Sequence, residues 1–121
     1  MGESIGIGPV HYEGAKALLR ANSVKMEAIA RNVANLGVKD AKRSDLDSSF
    51  QDEFNKIYRS GKTSQLSELK PVIKESLEVD KINLEQEMGE LSKASLLHDT
   101  LIMTITDEMK LISSAINGKT A

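Results

Sequence analysis

The sequence predicts an all-α fold: a long antiparallel helical hairpin of N- and C-terminal helices that pack like a coiled coil, with a short central helix and a mobile middle segment. Apolar residues in the last third of the chain recur at alternating steps of four and three, the 3.5-residue spacing of a helical seam. The first third carries a second such seam. Aromatic residues make up only 3% of the 121 residues, while apolar residues reach 40%. This composition suits a thin bundle of aliphatic side chains.

The C-terminal helix is predicted over residues 83–117. Asn83 is a favourable N-cap, and Gln86 three positions later completes the capping-box spacing. Glu85 and Glu87 place negative charge in the first turn, where the helix dipole favours it. An Asn-Gly pair ends the helix. Its predicted seam consists of Leu84, Met88, Leu91, Ser95, His98, Ile102, Ile105, Met109, Ile112 and Ile116.

A first helix is predicted over residues 10–36, after a flexible N-terminus at residues 1–9. Pro9 suits the first turn of a helix, and Gly37 occupies the place of a C-terminal cap glycine. Because a narrow seam is best buried against another helix, we expect the two long helices to pack through their seams rather than to enclose a pocket. The first seam consists of Ala15, Leu19, Asn22, Met26, Ile29, Val33 and Leu36.

The middle of the chain is predicted to hold one short helix over residues 46–59, after a polar, basic loop at residues 37–45. Ser44 and Asp45 are both candidate N-caps for this helix. Residues 60–81 are predicted to be mobile or extended, because they combine Ser, Thr, Lys and Glu with one proline. The apolar face of the short helix consists of Leu46, Phe50, Phe54, Ile57 and Tyr58. The length predicts a single domain.

Charge and cysteine content argue against several classes of function. The chain has 16 basic and 18 acidic residues, a net charge of −2, whereas nucleic-acid binders concentrate positive charge. The basic cluster of Lys39, Lys42 and Arg43 is diluted by aspartates and is interpreted as a solvated loop. Without cysteine there are no disulfides or thiolate metal sites. No apolar stretch approaches the roughly 20 residues of a membrane span, and we predict neither direct lipid binding nor a cleaved signal peptide.

No pattern of catalytic, metal-binding or cofactor-binding residues stands out. His98 follows Ser95 by one turn and precedes Asp99, but adjacent helix positions point to different faces. A catalytic triad needs the imidazole between its two partners. We therefore interpret Ser95 and His98 as a polar layer that fixes helix register. His11 and the scattered glutamates show no metal-ligand spacing, and the glycines follow no phosphate-loop pattern. The sequence thus predicts a protein that is not an enzyme and that holds no cofactor or metal.

Two asparagines stand out near the end of the first helix. Asn32 and Asn35 occupy positions where helix propensity disfavours them, and together they indicate a specific junction between helix and loop. The Asn-Val-Ala-Asn segment that they bound resembles the Asn-Ile/Leu-Ala-Asn core of the flagellar rod and hook family. Lys42 and Asp45 align with a lysine and an aspartate of that signature without a gap. Val38–Ala41 stand where the signature has Thr-Pro-Gly-Tyr.

The C-terminal helix carries a second resemblance to the same family. Residues 83–91 are similar to its Val-Asp/Asn-Leu-Glu-x-Glu-Met-x-x-Leu pattern. Residues 111–118 resemble the Leu-Arg-x-Ala-Ile-x-Gly ending of its proximal-rod, FlgB-type branch. The short middle segment also suits that branch, because the hook and distal rod proteins of the family carry large inserted domains.

The resemblance implies a structural subunit of the flagellar basal-body proximal rod, a single rod-type domain that self-assembles into a helical tube by coiled-coil packing. It implies type III export without a cleaved signal, and a place in the periplasmic portion of the basal body in a Gram-negative cell. The implied partners are further copies, other flagellar rod proteins and the adaptor between export gate and rod base. An alternative is a small helical chaperone or adaptor of a type III secretion system that forms a closed dimer. The residues expected to carry assembly are Leu19, Met26, Ile29, Asn32, Val33, Asn35, Leu36, Leu84, Met88, Leu91, Ile102, Ile105, Met109, Ile112 and Ile116.

Overall fold

The computed structural model describes residues 9–79 and 81–118. Among them the protein is mostly helical, with 70% helix and 6% strand. The mainly helical character is as the sequence predicts, but a small two-stranded sheet accompanies the helices. The predicted flexible N-terminus lies, except for Pro9, outside the described residues. The elements follow in the order α1 (Pro9–Ala34), β1 (Ser44–Leu46), α2 (Ser49–Ser60), α3 (Thr63–Glu68), β2 (Ile73–Glu75) and α4 (Leu84–Ile116).

The two long helices begin and end close to their predicted limits. α1 ends at Ala34 rather than at residue 36, and α4 ends at Ile116. Oδ1 of Asn83 accepts the backbone N–H of Gln86 at 3.1 Å, which confirms the predicted N-cap. Gly37 has a φ of +78°, a left-handed conformation that glycine adopts without steric cost. The chain therefore turns away from α1 at this residue.

The predictions for the middle of the chain need correction. The predicted loop at residues 37–45 ends in strand β1, and the short helix begins at Ser49 instead of residue 46. The segment 60–81, predicted as mobile or extended, contains helix α3 and strand β2. β1 and β2 pair antiparallel, with Leu46 opposite Ile73. This pairing joins segments that are distant in sequence, so local propensity does not encode it.

α1 is the central element of the fold, since it contacts α4, α2, α3 and both strands. Small side chains on one side of α1 allow the aromatic rings of α2 to approach. The rings of Phe54 and Tyr58 stack with their centroids 5.4 Å apart. Arg20 fixes the end of α3 by donating to the carbonyl of Leu66 at 2.9 Å. The buried cluster between these elements consists of Ala17, Ala21, Phe50, Phe54, Leu66 and Leu69.

α4 faces α1 with a row of residues that is rotated from the predicted seam. Every seventh residue of this row is buried, namely Glu87, Ala94, Leu101 and Glu108. Three residues of the predicted seam are half-buried beside the row, namely Leu91, His98 and Ile105. The other seam positions of α4 are exposed: Leu84, Met88, Ser95, Ile102, Met109, Ile112 and Ile116. The apolar arc of α4 is therefore wider than the strip that α1 covers.

Gly14 lies where α2 meets the start of α1, and a side chain there would strain the contact. A Cβ atom at Gly14 would lie 2.8 Å from Cε1 of Tyr58, whose ring is stacked on Phe54. We expect Gly14→Ala to lower the free energy of unfolding by about 1–2 kcal/mol, because overpacking outweighs the gain in helix propensity. Gly89→Ala is the matched control: its Cβ would meet nothing within 4 Å, and it should be stabilising by up to about 1 kcal/mol. Urea denaturation measures whether the two substitutions change the free energy of unfolding in opposite directions. A Gly14→Ala variant that is more stable than wild type would contradict the close contact between Gly14 and Tyr58.

Candidate functional site: a buried clasp and an open helical face

The side chain of Asn32 joins the last turns of α1 to strand β1. It is only 1% exposed. Its Nδ2 donates to the backbone carbonyl of Ser44 at 2.8 Å, and its Oδ1 accepts the backbone N–H of the same residue at 2.7 Å. The amide thus presents one donor and one acceptor to the strand, as a neighbouring strand would. One edge of β1 is paired with β2 and the other with Asn32.

Glu87 brings α4 to the same place. Its side chain is fully buried. Oε1 accepts from Nδ2 of Asn32 at 3.1 Å, and Oε2 accepts from Nε of Arg43 at 2.7 Å. A buried carboxylate is tolerated only when a counter-charge and hydrogen bonds replace its water. Arg43 supplies the charge and Asn32 the neutral donor, so three distant segments of the chain meet at this one side chain.

The ion pairs continue outward from Arg43 to the surface. Arg43 lies 3.2 Å from Asp45, Asp45 lies 2.7 Å from Lys25, and Lys25 lies 3.3 Å from Glu90. Acidic and basic groups alternate along this row, which links β1 to both long helices. We call the whole set the clasp; it consists of Lys25, Asn32, Arg43, Ser44, Asp45, Glu87 and Glu90.

The clasp predicts a specific acid sensitivity. Partial burial would raise the pKa of Asp45, but hydrogen bonds from Lys25 and from the backbone of Leu46 outweigh it and hold the pKa below 3.8. A carboxyl group with a lowered pKa in the folded state contributes stability above its unfolded pKa, and this is lost as pH falls through the folded pKa. We expect Asp45→Asn to flatten the loss of stability below about pH 4. Unfolding free energies from pH 7 to pH 2 test this, with the exposed Asp107→Asn as control; equal acid slopes in wild type and Asp45→Asn would contradict it.

Of the seven clasp residues, the sequence predicts only Asn32 as part of the junction. Asn32 was predicted at a junction, but Asn35 is half-exposed and its side chain has no hydrogen bond within the described part of the chain. Arg43, interpreted as part of a solvated loop, pairs with a buried carboxylate instead. Glu87 was interpreted only as a first-turn charge. The signal that could have found it is the C-terminal resemblance, since the Glu-x-Glu-Met pattern includes Glu87.

The polar positions of the two predicted seams have different surroundings. Asn22 is buried and donates from Nδ2 to the carbonyl of Ala94 at 2.8 Å, which ties the middle of α1 to α4. Ser95 is exposed, and His98 is half-buried with Nδ1 3.5 Å from Asp99. Across residues 9–79 and 81–118, no group of three or more His, Asp or Glu side chains is arranged to hold a metal ion.

One side of the α1–α4 pair carries apolar side chains in contact with water. β1, α2 and α3 pack on α1 through the side that bears Ala17, Ala21 and Asn32. Helical spacing places Leu19 and Met26 on another side of α1, and it places Leu84, Met88, Ser95, Ile102 and Met109 in one row along α4. The large apolar residues of that row and Val33 are 36–54% exposed. We call this surface the open face; it consists of Leu19, Met26, Val33, Leu84, Met88, Ser95, Ile102 and Met109, and it includes no charged residue.

The remaining residues predicted to carry assembly lie elsewhere. Ile29 is buried in the interior, while Leu36 is half-buried after the end of α1. Ile112 and Ile116 are exposed beyond Glu108. Burial and the nearby Glu108 carboxylate raise the pKa of Tyr58, whose ring lies against the first turns of α1. The contact of Asn22 with Ala94 lies 13 residues after Pro9 and 14 residues before Glu108 in two helices that run in opposite directions, so Glu108 is level with the start of α1 and α4 extends past it.

Comparisons of the chain with models of protein families, with curated proteins and with solved structures found no match. Among the described residues, no helix combines the length and apolar character needed to cross a bilayer. What the geometry offers is a clasp that fixes the relative position of α1, β1 and α4, and an open face whose large apolar side chains are partly exposed.

Proposed function

We propose that this chain is a structural subunit of the bacterial flagellar proximal rod, of the FlgB type, which joins further copies and other rod proteins in a helical tube. The observation that carries the proposal is the open face. It presents large apolar side chains along both long helices without a charge among them. Contiguous apolar surface of this kind marks a site of protein contact, and burying each Leu, Ile or Met contributes about 1.5–3 kcal/mol.

We also propose that α1 and α4 form an antiparallel, coiled-coil-like hairpin. The contacts that support it run in opposite directions along the two helices. Asn32 near the end of α1 meets Glu87 at the start of α4, whereas Asn22 in the middle of α1 meets Ala94. Buried α4 positions recur every seven residues, as a coiled-coil contact requires.

The clasp has a supporting role in this proposal. A subunit that adds to a tube must present its contact surface in one orientation, since small shifts accumulate along a helical assembly. Three buried partners, Asn32, Glu87 and Ser44, fix the loop after α1 against both long helices. The clasp residues Asn32 and Glu87 come from the two segments that resemble the rod and hook family, which favours this family over an unrelated helical protein.

The second candidate is the closed dimer of a secretion chaperone or adaptor. The same open face favours it, because an uncharged apolar face is compatible with two-fold self-association. The two proposals differ in what association does. In a two-fold dimer a single association step buries the open face of both copies, and no further copy can bind there. A rod subunit continues to add partners.

Ile102→Asp tests the proposed function. Ile102 lies on the open face and is already 42% exposed, so the change should preserve the fold while placing a charge in the contact. We expect loss of rod assembly in cells that lack the wild-type protein, and weaker association in sedimentation velocity. Met103→Asp is the matched control, because Met103 is exposed on the other side of α4 and should assemble normally.

The outcomes separate the candidates. Normal flagella with Ile102→Asp, given normal circular dichroism, would overturn the role of the open face. A wild-type protein that remains a dimer at every concentration, with or without other rod proteins, would favour the chaperone or adaptor. Concentration-dependent growth beyond a dimer supports the rod subunit.

A further inference from the structure

The end of α4 continues the α1-facing row past the point where α1 begins. The row passes through Leu101 and Glu108 and reaches Ala115 at the same seven-residue spacing, with Ile112 on the same face between them. Every residue from Met109 to Ile116 is exposed; Ile112 is 41% and Ile116 78% exposed. We call Met109–Ile116 the overhang. The overhang continues the residue pattern of the contact between α1 and α4, but no element among the described residues covers its side chains.

A groove lies between α4 and the β1–α2 segment. Its volume is about 360 Å³. Leu18 and Ala21 of α1 lie along its floor, Phe50 of α2 forms one wall and Leu97 of α4 the other. At one end it reaches the ion pairs of the clasp, at Glu90. The groove is thus bounded by helices on three sides, and half of its twelve lining residues are apolar; the polar half consists of Asn22, Lys25, Asp45, Gln51, Glu90 and Lys93.

A single chain cannot fill its own groove with its own overhang. The wall of the groove on α4 runs from Glu90 to Leu97, and Ile112 lies roughly 22 Å further along the same helix at 1.5 Å per residue. If an overhang occupies the groove, it must therefore belong to another molecule. Nothing in the fold bends α4 back between these positions, since the helix is continuous from Leu84 to Ile116.

The overhang and the groove match in length and in volume. Both span eight helix positions, about 12 Å. Since an apolar cavity of about 150 Å³ accepts a benzene-sized group, the groove has room for about two aliphatic side chains. Lys110 is the one charged residue of the overhang, so burying its apolar side desolvates few polar groups.

We propose that the overhang of one copy docks in the groove of a second copy, with Ile112 and Ile116 seated against Phe50 and Leu97. This contact rests on the proposed function and specifies one of its subunit contacts. It is head-to-tail, because the two surfaces differ and each copy offers one of each. Such a contact continues from copy to copy unless a rotation closes it into a ring. Apart from Met109, which belongs to both surfaces, the overhang and the open face then serve different neighbours.

Disulfide trapping in this cysteine-free chain tests the docking. Leu97→Cys protein is mixed with Ile112→Cys protein and oxidised; linked cysteines need Cα atoms within about 7 Å. We expect a mixed disulfide dimer at about tenfold higher yield than with Leu96→Cys, the matched control whose side chain is exposed beside the groove. A chain carrying both Leu97→Cys and Ile112→Cys should form linked series rather than an internal bond, because the two sites are too far apart.

Several results would overturn the docking. Equal yields with Leu96→Cys and Leu97→Cys, or no mixed dimer at all, would do so. Preferential linkage of two Ile112→Cys copies would indicate overhangs that pair with each other. An internal bond between Ile7→Cys and Ile112→Cys would indicate that the chain covers its own overhang.

The experiment also separates this contact from the proposed function. If trapping fails while Ile102→Asp still abolishes rod assembly, the docking is wrong and the rod proposal stands. If the mixed dimer forms but Ile102→Asp assembles normally, the docking contact is real and the role assigned to the open face is wrong; if the mixed dimer forms but the wild-type chain joins no rod assembly, the contact is real and the proposed function is wrong. Within the overhang, Ile112→Asp should reduce the yield of trapped dimer in a Leu97→Cys and Ile116→Cys mixture by about tenfold, whereas Ser113→Asp should not.

Discussion

Glu87→Gln is expected to lower the free energy of unfolding by about 3 kcal/mol, because it breaks a buried ion pair of the clasp. Glutamine keeps the volume of the side chain and can still accept from Asn32. It removes the negative charge that faces Arg43, whose side chain is only 18% exposed. A guanidinium left largely buried beside a neutral amide is then compensated only by Asp45, 3.2 Å away.

Urea unfolding of Glu87→Gln and Glu85→Gln measures this difference. Glu85 lies in the same first turn of α4 but is exposed, so its substitution should cost less than about 1 kcal/mol, the size of a helix-dipole contribution. Arg43→Met with Glu87→Gln completes a double-mutant cycle. We expect a coupling energy above about 1.5 kcal/mol. Similar losses for the two glutamates, or additive losses in the cycle, would show that the buried ion pair does not hold α4 in place.

Asn32→Ala is expected to cost about 3 kcal/mol, because it leaves several buried polar groups unpartnered. The N–H and carbonyl of Ser44 lose their amide partner, and Glu87 loses its neutral donor. Each unsatisfied buried group costs about 1–3 kcal/mol. Ser44 is 4% exposed, so water replaces the lost bonds only if β1 moves away from α1.

Asn35→Ala is the matched control for this substitution, because the sequence places both asparagines in one motif. Asn35 is half-exposed, and we expect Asn35→Ala to lower the free energy of unfolding by less than about 0.5 kcal/mol. Hydrogen exchange at the amide of Ser44 gives a second measurement. It should accelerate strongly in Asn32→Ala and remain slow in Asn35→Ala. Equal effects of the two changes would mean that the junction depends on the motif in some other way.

Local signals predicted the long helices and their ends well. The capping of α4 by Asn83 depends on a residue three positions away, so the sequence shows it directly. The β1–β2 pairing depends on residues far apart along the chain, and neither strand has more than three residues. Segments this short show no reliable periodicity of apolar residues, and the polar composition around them is typical of a loop.

The rotation of the α4 seam has a similar cause. Periodicity follows the bulkiest apolar side chains, which on α4 lie beside the contact with α1. The contact itself uses Ala94, where small size allows close approach, and Glu87, where a buried charge is matched by Arg43. Neither residue type scores as apolar core in a sequence pattern. The partner of Asn32 was missed for the same reason, since Glu87 lies 55 residues away and its burial depends on the fold.

The clasp also imposes an order on folding during synthesis. Its members are separated by 44 residues between Arg43 and Glu87 and by 55 between Asn32 and Glu87, so a nascent chain cannot complete it until the beginning of its last third has emerged. Before then α1 has no α4 to cover it, and the entropy of closing a long loop opposes any early contact. A chain shorter than this consequently stays open, and the clasp forms only when about three quarters of the chain, through Glu90, is available.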